Sequence, residues 1–131
     1  MRTKLTFALL LLCCGQLSAE TLSFSERIKL AKEIEKQKSA ENYFFKEMFP
    51  SVGGVMADAM KRCTSAPKAN LSPFTLVADI STQGKFINIA YEPRINTAAC
   101  FADLLSTLQA PPPPTCECVT MPIVIEMKIE P

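Results

Sequence analysis

From Phe74 onward, apolar residues recur at every second position in two long stretches, whereas before it they recur at every third or fourth. A period of two belongs to strands and one near 3.6 to helices, so this chain folds as helices followed by a sheet. Phe74, Leu76, Ala78 and Ile80 fall on one face and Thr75, Val77 and Asp79 on the other, the pattern of a half-buried strand. Ser81, Thr82, Gln83 and Gly84 supply a turn, with Gly84 free to take positive φ. Ile87, Ile89 and Tyr91 then alternate with Asn88 and Ala90 in a second strand that stops at Pro93, making a hairpin. At the far end, Val119, Met121, Ile123, Ile125, Met127 and Ile129 alternate with Thr120, Pro122, Val124, Glu126, Lys128 and Glu130 in a long amphipathic strand. Pro122 cannot donate to a ladder, which places the start of this strand at a sheet edge or at its end.

The helical segments are equally legible. Ser23 and Glu26 form a capping box, and Phe24, Ile28, Ala31 and Ile34 follow at helical spacing. Glu26, Arg27, Lys29, Lys32, Glu33, Glu35, Lys36 and Lys38 occupy the opposite face, a mixed-sign solvated surface. Tyr43, Phe44, Phe45, Met48 and Phe49 make an aromatic cluster that is either core or, if exposed, a docking surface. Pro50-Ser51 is expected to break the helix, and a second one is expected over 52–63, closed by Cys63. A loop over 67–73 precedes the first strand. Asn96 is expected to cap a third helix carrying Phe101, Leu104, Leu105 and Leu108, which Pro111 to Pro114 end, serving as a stiff spacer. The resulting order is an α+β domain: N-terminal helices (20–66), then a β-β-α-β module (67–131). Its three-stranded, mostly antiparallel sheet carries helices on one face.

The first residues set the compartment. Arg2 and Lys4 precede an apolar run from Leu5 to Cys14, and Leu17-Ser18-Ala19 ends in small residues before Glu20, so residues 1–19 read as a secretory leader cut between Ala19 and Glu20. The run is too short to span a bilayer. Losing it removes two bases and no acid from a chain of 14 bases and 13 acids. A net charge near zero argues against a polyanion partner, and no nucleic acid is expected.

Export leaves Cys63, Cys100, Cys116 and Cys118 in an oxidising compartment, where disulfides are the default. Four thiols permit three pairings. A Cys63–Cys100 bond would contribute roughly 3 to 4 kcal/mol on the chain-entropy model. It would leave Cys116 with Cys118 across Glu117, either as a structural clip or as a strained, reducible ring. The spacings lack the knuckles of a zinc site, and no metal or cofactor is expected.

With no His in the chain, Ser/His/Asp and Cys/His catalysis is excluded. Asp79, Glu92, Glu126 and Glu130 are the acids near the sheet, and no spacing fixes two of them in acid/base geometry, so no enzyme activity is expected.

Leu76-Val77-Ala78-Asp79-Ile80, then Gly84-Lys85-Phe86-Ile87, then a helix with Cys100 and Leu104, a proline cluster and a final alternating strand together resemble the C-terminal domain of TonB-like and TolA-like energy transducers. The resemblance covers about 60–131. It implies a periplasmic interaction module that binds through a sheet edge, with Cys63 and Cys100 placed to clip the helices to the sheet. Where the transducers carry a membrane anchor and a long proline-rich linker before this domain, this sequence carries the expected leader and a charged helix, so the binding fold alone is expected, without force transmission. A three-stranded sheet has two edges with unpaired backbone groups, which makes strand addition the natural mode of binding. The expected function is therefore a soluble periplasmic or secreted module that binds a protein of the periplasm or cell envelope. The edge strand, with Val119, Met121, Ile123, Ile125 and Met127, is the expected contact. The competing expectation is an inhibitor or immunity-type protein that blocks an enzyme or toxin.

Overall fold

The computed structural model describes residues 22–114 and 120–130. The expected leader with its Ala19–Glu20 junction, Cys116, Cys118 and Val119 lie outside the described residues. Helix α1 spans Phe24–Glu35, α2 Lys38–Asn42 and α3 Phe49–Ser65, with a π-helical stretch over Tyr43–Met48. Strands β1 (Phe74–Ile80) and β2 (Phe86–Glu92), helix α4 (Asn96–Leu105) and strand β3 (Met121–Met127) complete the chain. The α+β class and the order of elements are those the sequence implies.

Ser23 caps α1, its hydroxyl accepting from the Glu26 N–H at 3.2 Å and donating to the Glu26 carboxylate at 3.0 Å. The break expected at Pro50 is instead at Lys36–Gln37, and α2, the π-helical stretch and α3 run on as one rod from 38 to 65. Proline is tolerated there because it sits in the first turn of α3, where its missing N–H has no regular α partner to lose. The preceding π geometry, in which the Phe49 N–H reaches back to Phe44 O, delivers the chain to that position.

The sheet order is β2-β1-β3, antiparallel throughout. Phe74, Leu76, Ala78 and Ile80 of β1 face the rod and α4, forming the core with Tyr43, Phe44, Met48, Val52, Phe86 and Phe101. The other face of β1 is sealed as well. Val77 is buried and Asp79 only 5% exposed, because α1 lies across that side, packed chiefly on β3 and then β1. Packing on one face thus describes the rod and α4, while α1 adds a layer beneath the sheet and leaves β1 buried at every residue except the half-buried Thr75, not the half-buried strand expected.

In β2 the expected alternation fails at one point. Asp79 pairs with Ile87 but Val77 pairs with Ala90, so two residues of β2, Asn88 and Ile89, stand opposite Ala78 alone. Asn88 takes φ +52 to accommodate the extra residue. The bulge reverses the alternation: Ile89 and Tyr91 pack on the core with Phe86, and Ile87 is turned outward. Helix α4 also departs from expectation. Ile95 is its N-cap, and Asn96, in the first turn, uses its amide to bind the 66–73 loop, accepting from the Asn70 N–H (2.8 Å) and donating to Lys68 O (2.8 Å). The helix ends at Leu105, six residues before the prolines, since Ser106 and Thr107 turn their hydroxyls back onto Asp103 O and Leu104 O. Cys63 of α3 and Cys100 of α4 are disulfide-bonded, with Cα atoms 5.7 Å apart, so one of the three open pairings is settled and a four-thiolate zinc site has lost two of its ligands.

Candidate functional site: the sheet edges

Met121, Ile123, Ile125 and Met127 pair across the ladder with Ile80, Ala78, Leu76 and Phe74, so all four side chains turn toward the rod and core. The alternate residues Pro122, Val124 and Glu126 pair with Asp79, Val77 and Thr75 and turn toward α1. The chain's own elements bury Pro122 and Ile123 and half-bury Met121, Val124, Ile125 and Met127, so apart from the exposed Glu126 this strand presents outward chiefly its backbone edge. Among the described residues, no backbone hydrogen bond outside the β1 ladder involves Met121–Met127. The outer edge of β2 is likewise free of backbone partners over Phe86–Glu92, although Lys85 pairs with Gln109 just before it.

The two halves of the β3 edge differ. The Lys36–Gln37 link joins α1 on one face to the rod on the other. Ala31 and Glu35 from α1 and Phe44 and Phe49 from the rod form a cleft with Pro122, Ile123 and Val124. About 30 Å³ is left there, room for a water or two and none for a strand. The half from Ile125 to Met127 has no such cover. There Lys32 of α1 donates to Glu126 at 2.9 Å, and this hydrogen bond and charge, with Lys128 adding to them, hold the exposed Glu126 carboxyl below its usual range.

The aromatic cluster divides. Tyr43, Phe44 and Met48 are core, whereas Phe45 (62% exposed) and Phe49 (40%) stack at 5.8 Å on the outside of the rod beside the covered half of β3. The Tyr43 hydroxyl donates to Pro111 O at 2.8 Å, tying the proline stretch to the rod, and burial, with Glu47 nearby, pushes its pKa up to about 12.

A polar cluster beneath the sheet escaped the sequence reading. Arg27 points inward, its guanidinium donating to Asn88 O at 2.6 Å and standing 3.8 Å from Asp79, which also accepts from the Asn88 amide at 3.0 Å. Its signal was present: Arg27 lies on the same helical stripe as Phe24, Ala31 and Ile34. The expected carboxylates are not brought together. Asp79 is engaged with Arg27 and Asn88, Glu126 with Lys32, and Glu92 sits across β1 from Glu126 with Thr75 between them. Among the described residues no group of three or more His, Cys, Asp or Glu is placed to hold a metal ion, and no helix is long and apolar enough to cross a membrane.

Compared with protein-family models, curated proteins and solved structures, the chain finds no match in any of the three. The functional reading therefore rests on the geometry.

Proposed function

We propose that this chain is an exported protein-binding module that takes a partner's strand onto the open half of its β3 edge, in the manner the TonB-like and TolA-like resemblance implies. The observation that carries this is the sheet itself. β1 is buried between helices on both faces, and β3 is buried at Pro122 and Ile123 but half-buried or exposed from Val124 to Met127, where the backbone of Ile125–Met127 has no outward partner among the described residues. Unpaired strand backbone recruits other strands, and a chain that spends a helix on covering one half of an edge while leaving the other bare is arranged for a directed encounter. The Cys63–Cys100 bond fits a protein of the periplasm or cell envelope.

The test is to express the chain with its leader, isolate it from the periplasm, capture its envelope partner and follow amide exchange in the complex. The expected result is a mature N-terminus at Glu20 and slowed exchange confined to the outward amides of 124–130. A stable complex in which the outward amides of 124–130 exchange as in the free chain would overturn strand addition at this edge.

A further inference from the structure

The ladder between β1 and β3 ends at the Phe74–Met127 pair, because Pro73 precedes β1. The alternation of β3 does not end there: Lys128 is exposed, Ile129 half-buried and Glu130 exposed, with no strand opposite them among the described residues. The bare edge and this overhang form one continuous stretch, Ile125 to Glu130.

We propose that the strand taken up by this stretch comes from a second copy of the chain, paired antiparallel about a two-fold axis at Met127, so that two sheets join into one of six strands. The inference rests on the edge reading above and names the partner. Its register follows from charge and cover. In a two-fold antiparallel pair, facing residues must lie on the same side of the sheet, so the axis passes through one residue facing its own copy. Axes at Val124 or Ile125 require the Pro122–Val124 half, which α1 and the rod occupy and where Pro122 has no N–H to give. An axis at Glu126 sets that carboxylate against itself. An axis at Lys128 sets that ammonium against itself and Glu126 against the second copy's Glu130. With the axis at Met127, Glu126 faces the second copy's Lys128 twice over, Ile125 faces Ile129 twice, and Met127 faces Met127. The apolar pairs then extend the row that faces the core, and the ion pairs extend the polar row on which Lys32 already holds Glu126.

Light scattering and sedimentation of the mature full-length chain over a concentration series test this. A reversible dimer is expected. Lys128→Glu alone and Glu126→Lys alone should each weaken it by about tenfold or more, because two attractive pairs become repulsive ones. An equimolar mixture of the two variants should form a heterodimer, since one strand then carries two acids and the other two bases. Both positions are exposed, and circular dichroism confirms that each variant folds. With Cys116 and Cys118 changed to Ser, Met127→Cys should oxidise to a covalent dimer and Met121→Cys should not. A chain that stays monomeric at its highest soluble concentration, or a dimer that neither variant weakens, overturns the second copy as partner. Neither result touches strand addition, which fails only if a captured complex leaves the 124–130 amides exchanging freely.

Discussion

Replacing Gly84 with alanine should loosen the corner where the hairpin meets the end of α4. Gly84 sits at φ +85, a region that costs an L-residue about 1–2 kcal/mol. An added Cβ would also lie 1.9 Å from Ala110 O and 2.8 Å from Ala110 C, and these are backbone atoms that cannot rotate away. The 109–110 segment must therefore move. It would give up the Ala110 N–H to Gly84 O bond of 2.9 Å, which makes the Lys85–Gln109 bridge and is worth about 1 kcal/mol net. The sum is about 2–3 kcal/mol, and for a domain of this size each kcal/mol moves the melting temperature by about 4 °C. Thermal melting by circular dichroism, with the disulfide intact, should show a drop of about 8–12 °C. Gly54→Ala is the control: that glycine lies within α3 with nothing within 4 Å of the new methyl group, so the same change there should raise stability by up to about 1 kcal/mol. A Gly84→Ala variant melting within about 3 °C of the parent would refute the close approach of Ala110.

Other predictions follow from single contacts. Changing Cys63 and Cys100 together to alanine removes a cross-link spanning 37 residues, and the chain-entropy model puts the loss at about 4 kcal/mol; urea melts of the variant against the parent measure it. Asp79→Ala should cost about 2 kcal/mol by leaving Arg27 and the Asn88 amide without their shared acceptor, with a smaller loss for Asp79→Asn, again read from urea midpoints. Burial raises the Tyr43 pKa from 10.0 to about 12, so the folded chain holds that proton more tightly than the unfolded one. The stabilisation is complete below pH 10 and disappears as the pH rises toward 12. Urea midpoints across that range should fall in the parent and stay flatter in Tyr43→Phe.

What could be read from the residues, and what could not, divides along the line between local and non-local causes. The Ser23–Glu26 cap and the inward face of β1 depend on neighbours within a few residues and are visible in spacing alone, and the missing N–H of Pro122 marks the edge position of β3. Pro50 misled because its effect depends on the π geometry of the six residues before it, which no periodicity reveals. Asn96 had the chemistry of a cap, but the loop from Lys68 to Asn70 competes for its amide, and that loop is distant in sequence. The bulge at Asn88 inserts one residue into a regular alternation; the pattern Ile87, Ile89, Tyr91 continues undisturbed through it, so the sequence carries no mark of the reversal. Arg27 was assigned to water because charged residues on amphipathic helices ordinarily face it. Its partners, Asp79 and the carbonyl of Asn88, exist as a pair only once the bulge has formed.

The edge itself combines both kinds of cause. That β3 lies at the margin of the sheet was implied by Pro122, but which part of the margin is open depends on where α1 turns into the rod. The turn at Lys36–Gln37 joins α1 on one face of the sheet to the rod on the other, and Glu35 just before it shares a cleft with Pro122, the one residue of the strand with no N–H to offer. Cover has thus been placed where the backbone is already poorest in donors, and the alternate N–H groups of 125–129 that point away from β1 remain available. If α1 instead crossed at Met127, the bare half would hold the proline and the charge-matched half would be hidden, and no register of self-pairing would remain. The position of one two-residue link therefore decides whether this edge can accept a strand at all, and shifting it is the change to which binding should be most sensitive.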